Sequence, residues 1–299
     1  MNELIMLIGL PASGKSTCAN QLKEDGYVIY SSDELMKELF GTVNEFSKNG
    51  KLFEELQKRI KNDLLNGENV VYDATNLNCK KRIHFIKNVL KDIDCNKKAV
   101  IIATPYNDCI DRDRKREKKV GSHVIEKFYK QFTMPNYQEG FDEIEIVYSK
   151  DEYSEFDVDN EFELLNKIHQ NNKNHTKTIG SHCATVGKYL KENNDENLFI
   201  AGAIHDFGKK FCKSFKDSHN RVCNDAHYYN HENIGSYDAM FYLKGSDAID
   251  IVDICNLIQY HMKPHALKTE KSIRRFVNFV GEEFWNRILQ LHEADVDSR

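Results

Sequence analysis

The chain has 299 residues, enough for two cores of ordinary domain size, and 42 basic residues stand against 47 acidic ones. The formal net charge of -5 excludes nucleic-acid binding through the overall field, so any such contact needs a local basic surface. No apolar run approaches bilayer length, so no membrane-spanning helix is expected, and no membrane partner.

The chain opens on Met1-Asn2-Glu3-Leu4 without the cationic start of a signal peptide, so a cytoplasmic location is expected. Its eight cysteines show no metal-ligand spacing and are expected to be free thiols of a reducing compartment. Residues 1–150 alternate short apolar runs with helical patterns, which points to an α/β domain with a parallel sheet. The runs are Leu4–Ile8, Tyr27–Ser31, Asn69–Tyr72, Ala99–Ala103 and Ile144–Tyr148. Leu52–Leu65 carries Phe53, Leu56, Ile60 and Leu64 at helical spacing.

Between the first run and its helix lies Gly9-Leu10-Pro11-Ala12-Ser13-Gly14-Lys15-Ser16, a complete phosphate-binding loop. Glycines let successive backbone N–H groups face phosphate oxygens, and the next helix directs its positive end at them. Gly9, Ala12, Ser13, Gly14, Lys15, Ser16 and Thr17 are therefore the expected binders of ATP. Lys15 reaches the outer phosphates, and Ser16 offers a hydroxyl to Mg²⁺. Asp33 is a candidate general base or, equally, the N-cap of a helix over Glu34–Phe40. Asp73, at another strand end, could orient Mg²⁺ or the acceptor, or simply satisfy turn backbone. The run Asp111–Lys119 concentrates cations, with Arg112 and Arg116 four apart and expected on one helix face. There they would form a lid over the transferring phosphate.

Ser32-Asp33, the segment Asp73-Ala74-Thr75-Asn76-Leu77-Asn78, and the Arg112–Arg116 lid followed by Val124–Tyr129 resemble the 5′-hydroxyl polynucleotide kinases of nucleic-acid repair. The resemblance covers most of residues 1–148. It implies Lys15 and Ser16 at the nucleotide, Asp33 as base, Asp73 near the acceptor, and Arg112 and Arg116 on the donor phosphates. One departure falls at Met36, where the family usually carries an arginine that contacts the acceptor's phosphate.

A charged stretch from Ser149 to Glu155 reads as a linker, and after it the pattern is helical throughout. Helices are expected over Glu161–Ile168, Ser181–Leu190, Leu198–His205, His231–Leu243 and Ala248–His261, with Gln170–Asn174 as a polar helix–helix loop. The second half, residues 160–299, is thus expected to be all-α. It carries six residues suited to divalent metal: His182, His205, Asp206, His231, His261 and Asp295. His182, His205, Asp206 and Asp295 could serve one ion, and His231 and His261 could serve a second, with Asp206 as bridge, or contact the phosphate. Imidazole-rich donors favour Mn, Fe, Co, Ni or Zn over Mg²⁺.

This half resembles the HD phosphohydrolase superfamily, through His175 and Thr178 leading to His182, Ala203–Lys209, His231–Gly235, Leu257–Met262 and Leu291–Asp295. The last three segments are similar to the HD domain of some tRNA nucleotidyltransferases, which implies action on 2′,3′-cyclic or 2′-phosphate esters. Together the halves resemble HD-Pnk end-healing enzymes with the domain order exchanged: an α/β P-loop kinase domain followed by an all-α HD-type domain. The resemblance implies 5′-OH phosphorylation and phosphate removal at RNA or DNA ends, ahead of a nucleic-acid ligase. Two alternatives stay open. One is a nucleoside or small-molecule kinase fused to a nucleotide phosphohydrolase. The other is a non-catalytic ATP-sensing module.

Overall fold

Five short apolar runs pair edge to edge as parallel strands, and their placement builds the first site. The computed structural model describes all residues except 42–47, 150–155 and 174; the expected linker lies, from residue 150 on, outside the described residues. The chain divides into two compact units. One comprises Met1–Phe128 with Pro135–Ser154, the other Tyr129–Met134 with Glu155–Arg299.

In the first unit the elements run β1 (Glu3–Ile8), α1 (Lys15–Glu24), β2 (Val28–Ser31), α2 (Ser32–Phe40), α3 (Asn49–Leu65), β3 (Val70–Asp73) and α4 (Cys79–His84). They continue with β4 (Asn96–Ala103), α5 (Tyr106–Lys115), α6 (Ser122–Gln131), whose residues from Tyr129 on belong to the other unit, and β5 (Glu143–Tyr148). The sheet order is β2-β3-β1-β4-β5, and every pairing is parallel. Leu4, Leu7, Ile8, Val70 and Val71 are fully buried, as expected of strands covered on both faces. Leu52, Leu56, Ile60 and Leu64 form the buried stripe of α3. Ligands of such sheets gather beyond the carboxyl ends of the strands. There the loop after Ile8, Asp33 after β2, and Asp73 at the end of β3 all fall.

In the second unit the order is α7 (Val158–Leu165), α8 (Ile179–Leu190), α9 (Glu196–Ile204), α10 (Lys209–Cys212), β6 (Ser214–Lys216), β7 (Val222–His227), α11 (His231–Tyr242) and α12 (Ala248–Tyr260). Then come α13 (Lys263–Ala266), α14 (Glu270–Val280) and α15 (Glu282–Asp297). Helix α8 packs on α9, α9 and α11 on α12, and α15 on α8, α9 and α12.

This unit is helical but not all-α, which corrects the sequence expectation. Strands β6 and β7 pair as an antiparallel hairpin. Ser-Phe-Lys and Val-Cys-Asn-Asp-Ala-His show no apolar alternation, so no strand pattern announces them. The turn organises the pair instead. Asp217 accepts hydrogen bonds from the backbone N–H groups of His219 and Arg221, each at 2.9 Å, and Asn220 adopts φ 63°. All eight cysteines are free, five of them buried. Among the described residues no helix is long and apolar enough to cross a membrane.

Candidate active sites

In the first unit the loop between β1 and α1 turns through Ala12 (φ 64°) and Gly14 (φ 105°), and Gly14 caps α1. Left-handed backbone at both points allows the tight cradle and suits glycine at the second. The ammonium of Lys15 rests on the loop's own carbonyls, Gly9 at 3.0 Å and Leu10 at 2.8 Å. Burial pulls its pKa down while the nearby Asp73 carboxylate pulls it up, and the net shift is downward. Ser16 donates from its hydroxyl to Asp73 Oδ2 at 3.1 Å. Burial raises the Asp73 carboxyl pKa against the lowering pull of Lys15 and Ser16. A loop hydroxyl and a strand-end carboxylate in contact are the donor pair that holds Mg²⁺ in P-loop enzymes, so the residues fit that ion. Thr17 and Ser16 are exposed at the start of α1, and the Thr17 N–H bonds the Gly14 carbonyl. Ser13 is buried, and its carbonyl accepts from Thr104 Oγ1 at 2.8 Å and from Arg112 Nη1 at 3.3 Å.

Two local expectations are corrected. Helix α2 is capped by Ser31, whose hydroxyl accepts from the Glu34 N–H, so Asp33 is not the N-cap. It sits exposed in the first turn, within electrostatic reach of both Lys15 and Asp73. Nor do Arg112 and Arg116 share a helix face. Arg116 follows the end of α5 with extended backbone (φ -75°, ψ 147°). The cause is Asp113, a buried carboxylate that accepts from the N–H groups of Val120 and Gly121 and folds the cationic run back. Arg112 is half-buried against the phosphate loop and also bonds Ser149 Oγ, whereas Arg116 is exposed. Met36 is 4% exposed and part of the core.

In the second unit the six candidate metal-ligating residues converge. Asp206 follows α9, and its two oxygens face two groups. Oδ2 lies 3.3 Å from His205 Nε2 and 3.5 Å from His182 Nε2, while His182 Nε2 is 3.0 Å from Asp295 Oδ1. Oδ1 lies 3.2 Å from His231 Nε2 and 3.9 Å from His261 Nε2. All six are at least nine-tenths buried. Each ring is aimed by its other nitrogen. Nδ1 of His205, His231 and His261 donates to the carbonyls of Gly202, Tyr228 and Ile258 at 2.6–2.8 Å, and that of His182 to Ser298 at 3.4 Å. A carbonyl can only accept, so Nδ1 carries the proton and a neutral ring turns a lone pair inward from Nε2.

His182 Nε2 and His205 Nε2 are buried with no hydrogen-bond partner. Orphaned imidazole nitrogens gathered around carboxylate oxygens are the donor set of a divalent transition ion, and the residues fit one. Burial opposes charge on Asp206, but His205 and Lys209 outweigh it and hold its carboxyl well below the usual range. Burial, with His231 and His205 packed beside it, pushes His261 down to about 3 and so favours its neutral ring. Gly208, just after the doublet, has no room for a side chain: a Cβ there would meet the His231 carbonyl at 2.2 Å. This close approach brings the segment bearing His205 and Asp206 against α11.

Several neighbours had no role assigned from the sequence, Lys209 among them although it closes the segment Ala203–Lys209. Lys209 is 6% exposed and bridges Asp206 Oδ2 (2.5 Å) to Gln170 Oε1 (2.8 Å). Gln170, read as loop, is 1% exposed, and its carbonyl accepts from Tyr228 Oη. His292 and Arg299 lie with His265 beside Asp295. The i, i+3 spacing of His205–Gly208 and Asp206–Lys209 was the available signal for Lys209; for Gln170 there was none.

Residues 4–135 match the family described as an AAA domain. The first unit is thus a P-loop kinase-like α/β domain with a parallel sheet. The L-seryl-tRNA(Sec) kinase of Methanococcus maripaludis is 29% identical over 177 residues, 57% of this chain; the chain spans 66% of that relative's length. Among solved structures, the Pnkp1/Rnl/Hen1 RNA repair complex is similar at 22% identity and TM-score 0.39, over 44% of this chain and 43% of the other. A fungal RNA kinase is similar at 16% identity and TM-score 0.37, over 53% and 41%. A gluconokinase from Sinorhizobium meliloti is similar at 15% identity and TM-score 0.37, over 50% and 83%.

Proposed function

We propose that the protein heals nucleic-acid ends with two chemistries. The first unit transfers the γ-phosphate of ATP to a 5′-hydroxyl, and the second hydrolyses a 2′,3′-cyclic or terminal phosphate ester, leaving ends fit for a ligase. The observation that carries the second activity is the convergence of four carbonyl-anchored histidines on the two oxygens of Asp206. A divalent ion held there supplies Lewis acidity toward a phosphoryl oxygen. His182, His205, Asp206 and Asp295 would hold one ion and His231 and His261 a second, with Asp206 facing both. Lys209 keeps Asp206 ionised and oriented. In the first unit Asp33 takes the proton of the attacking hydroxyl, Ser16 and Asp73 orient Mg²⁺, and Lys15, Arg112 and Arg116 neutralise charge on the transferring phosphoryl group.

The curated relative favours a second reading for the kinase acceptor, a hydroxyl carried on tRNA. Buried Met36 agrees with it, since no arginine at that position meets a 5′-terminal phosphate. One incubation separates the readings: ATP with a 5′-OH oligonucleotide ending in a 2′,3′-cyclic phosphate, both ends resolved. Change at both ends supports end healing. An untouched 5′ end beside phosphorylation of a seryl-tRNA transfers the kinase to the second reading.

A further inference from the structure

Two buried polar atoms beside the metal cluster have no partner: Arg299 Nε and His292 Nδ1. They belong to one group on the outer oxygen of Asp295. Arg299 Nη2 donates to Asp295 Oδ2 and to His265 Nε2, each at 3.1 Å. The rings of His265 and His292 meet edge to face at 4.3 Å. A guanidinium can only donate, so His265 accepts through Nε2 and carries its proton on Nδ1. His265, His292 and Asp295 also present ligand atoms within 4.8 Å of one another, a spacing open to a metal ion. The guanidinium decides against that occupant. It already donates to two of those three side chains, and a second cation there would be repelled. For an anion, Arg299 attracts where the Asp295 carboxylate repels, and the donors without an acceptor decide. An anion gives Arg299 Nε the acceptor it lacks, accepts from His292 Nδ1 when that nitrogen is protonated, and leaves the bond from Arg299 to Asp295 in place.

We propose that Arg299, His292 and His265 form a phosphate-binding subsite for the substrate's second, non-scissile phosphate; this rests on the second unit being a phosphohydrolase. Asp295 turns Oδ1 to His182 and Oδ2 to Arg299, so the cluster and the subsite share one carboxylate. A mononucleotide with a single phosphate fills only the cluster. A strand end brings the next phosphodiester and fills both, and the planar fork of Arg299 suits phosphate oxygens. The subsite therefore selects polynucleotide ends over mononucleotides.

The test uses the full chain with its own metal and Lys15→Ala, which disables the phosphate loop of the first unit. Inorganic phosphate is titrated by calorimetry, with metal content measured alongside. Arg299→Ala and His292→Ala are each expected to weaken phosphate binding by roughly tenfold, the loss of one charge-assisted contact. Arg299→Lys should recover part of it. If Arg299→Ala also sheds metal, His292→Ala decides, because it removes no bond to Asp295. Unchanged phosphate affinity in both alanine variants overturns the subsite. A second arm compares hydrolysis of a nucleoside 2′,3′-cyclic phosphate with that of a dinucleotide ending in the same group. The parent should favour the dinucleotide in kcat/KM, and His292→Ala should erase that preference. Equal kcat/KM in the parent overturns the assignment to polynucleotide ends. If neither compound is hydrolysed, the phosphohydrolase reading falls, and the phosphate titration alone decides whether the anion site stands.

Discussion

His231 Nε2 and His261 Nε2 face each other at 3.1 Å, and each ring is turned there by an Nδ1–H bond to a carbonyl three residues earlier in the chain. With both protons on Nδ1, two lone pairs aim at one point beside Asp206 Oδ1. A cation relieves their repulsion, and its absence would leave it unrelieved.

Asp206→Ala should lower both metal content and phosphoesterase activity, with kinase activity spared. Its two oxygens face both histidine groups, so its loss should exceed that of His231→Ala or His261→Ala. Elemental analysis and hydrolysis assays of the three variants check this. Full metal content and rate in Asp206→Ala would remove the site.

Because Ser31 and not Asp33 caps α2, activity and stability should separate at these neighbours. Asp33→Ala is expected to slow phosphoryl transfer by about 10²–10⁴-fold while moving stability by less than about 0.5 kcal/mol. Ser31→Ala should cost about 1 kcal/mol. Denaturant melts and a transfer assay with radiolabelled ATP suffice, and transfer at the parental rate in Asp33→Ala would retire the general base.

The two arginines should also behave differently. Arg112→Ala removes a bond to the Ser13 carbonyl and should weaken ATP binding together with turnover. Arg116 lies outside the helix, so Arg116→Ala should lower turnover and leave nucleotide affinity nearly intact. Equal losses of affinity in both would mean that Arg116 grips the ground state too.

Gly208→Ala forces a methyl group onto the His231 carbonyl. A loss of about 1–3 kcal/mol or more is expected, with metal affinity falling in parallel because α11 must move. An unshifted melting temperature would show that the approach relaxes freely.

Asp238 offers a pH test away from the metal residues. Burial pushes its carboxyl up to about 6, against the lowering by the Tyr129 hydroxyl that donates to it at 2.5 Å. The folded chain keeps this proton where the unfolded chain, titrating near 3.8, has released it. Stability from this group is therefore full below about pH 4 and declines as pH rises to about 6. Melts across this window should show a downward slope that Asp238→Asn removes. Identical slopes in the two proteins would contradict the shift.

Much of this was legible beforehand because periodicity and loop chemistry are local. The buried runs of β1 and β3 and the stripe of α3 read directly from residue order, as did the glycine loop. What escaped depends on contacts between distant residues or on single side chains overriding a pattern. Asp113 ends the helix before Arg116 by binding backbone beyond it, and no helical spacing reveals that. The hairpin of β6 and β7 is set by Asp217 and Asn220 in its turn rather than by its strands. Gln170 reaches Lys209 across 39 residues of chain, so only the fold joins them, whereas Arg299 meets Asp295 at an i, i+4 spacing that residue order already offered.

The set of six candidate ligands also has a topological side. Its members stand near the beginning and at the end of the second unit, on α8 and α15, with the rest strung between. An ion held by His182 and Asp295 would close most of that unit into a single loop, as a reversible crosslink does, and so restrict the unfolded chain. Chelation would then act as bond cutting: the second unit would melt at lower temperature and be nicked sooner by protease, while the sheet of the first kept its own transition.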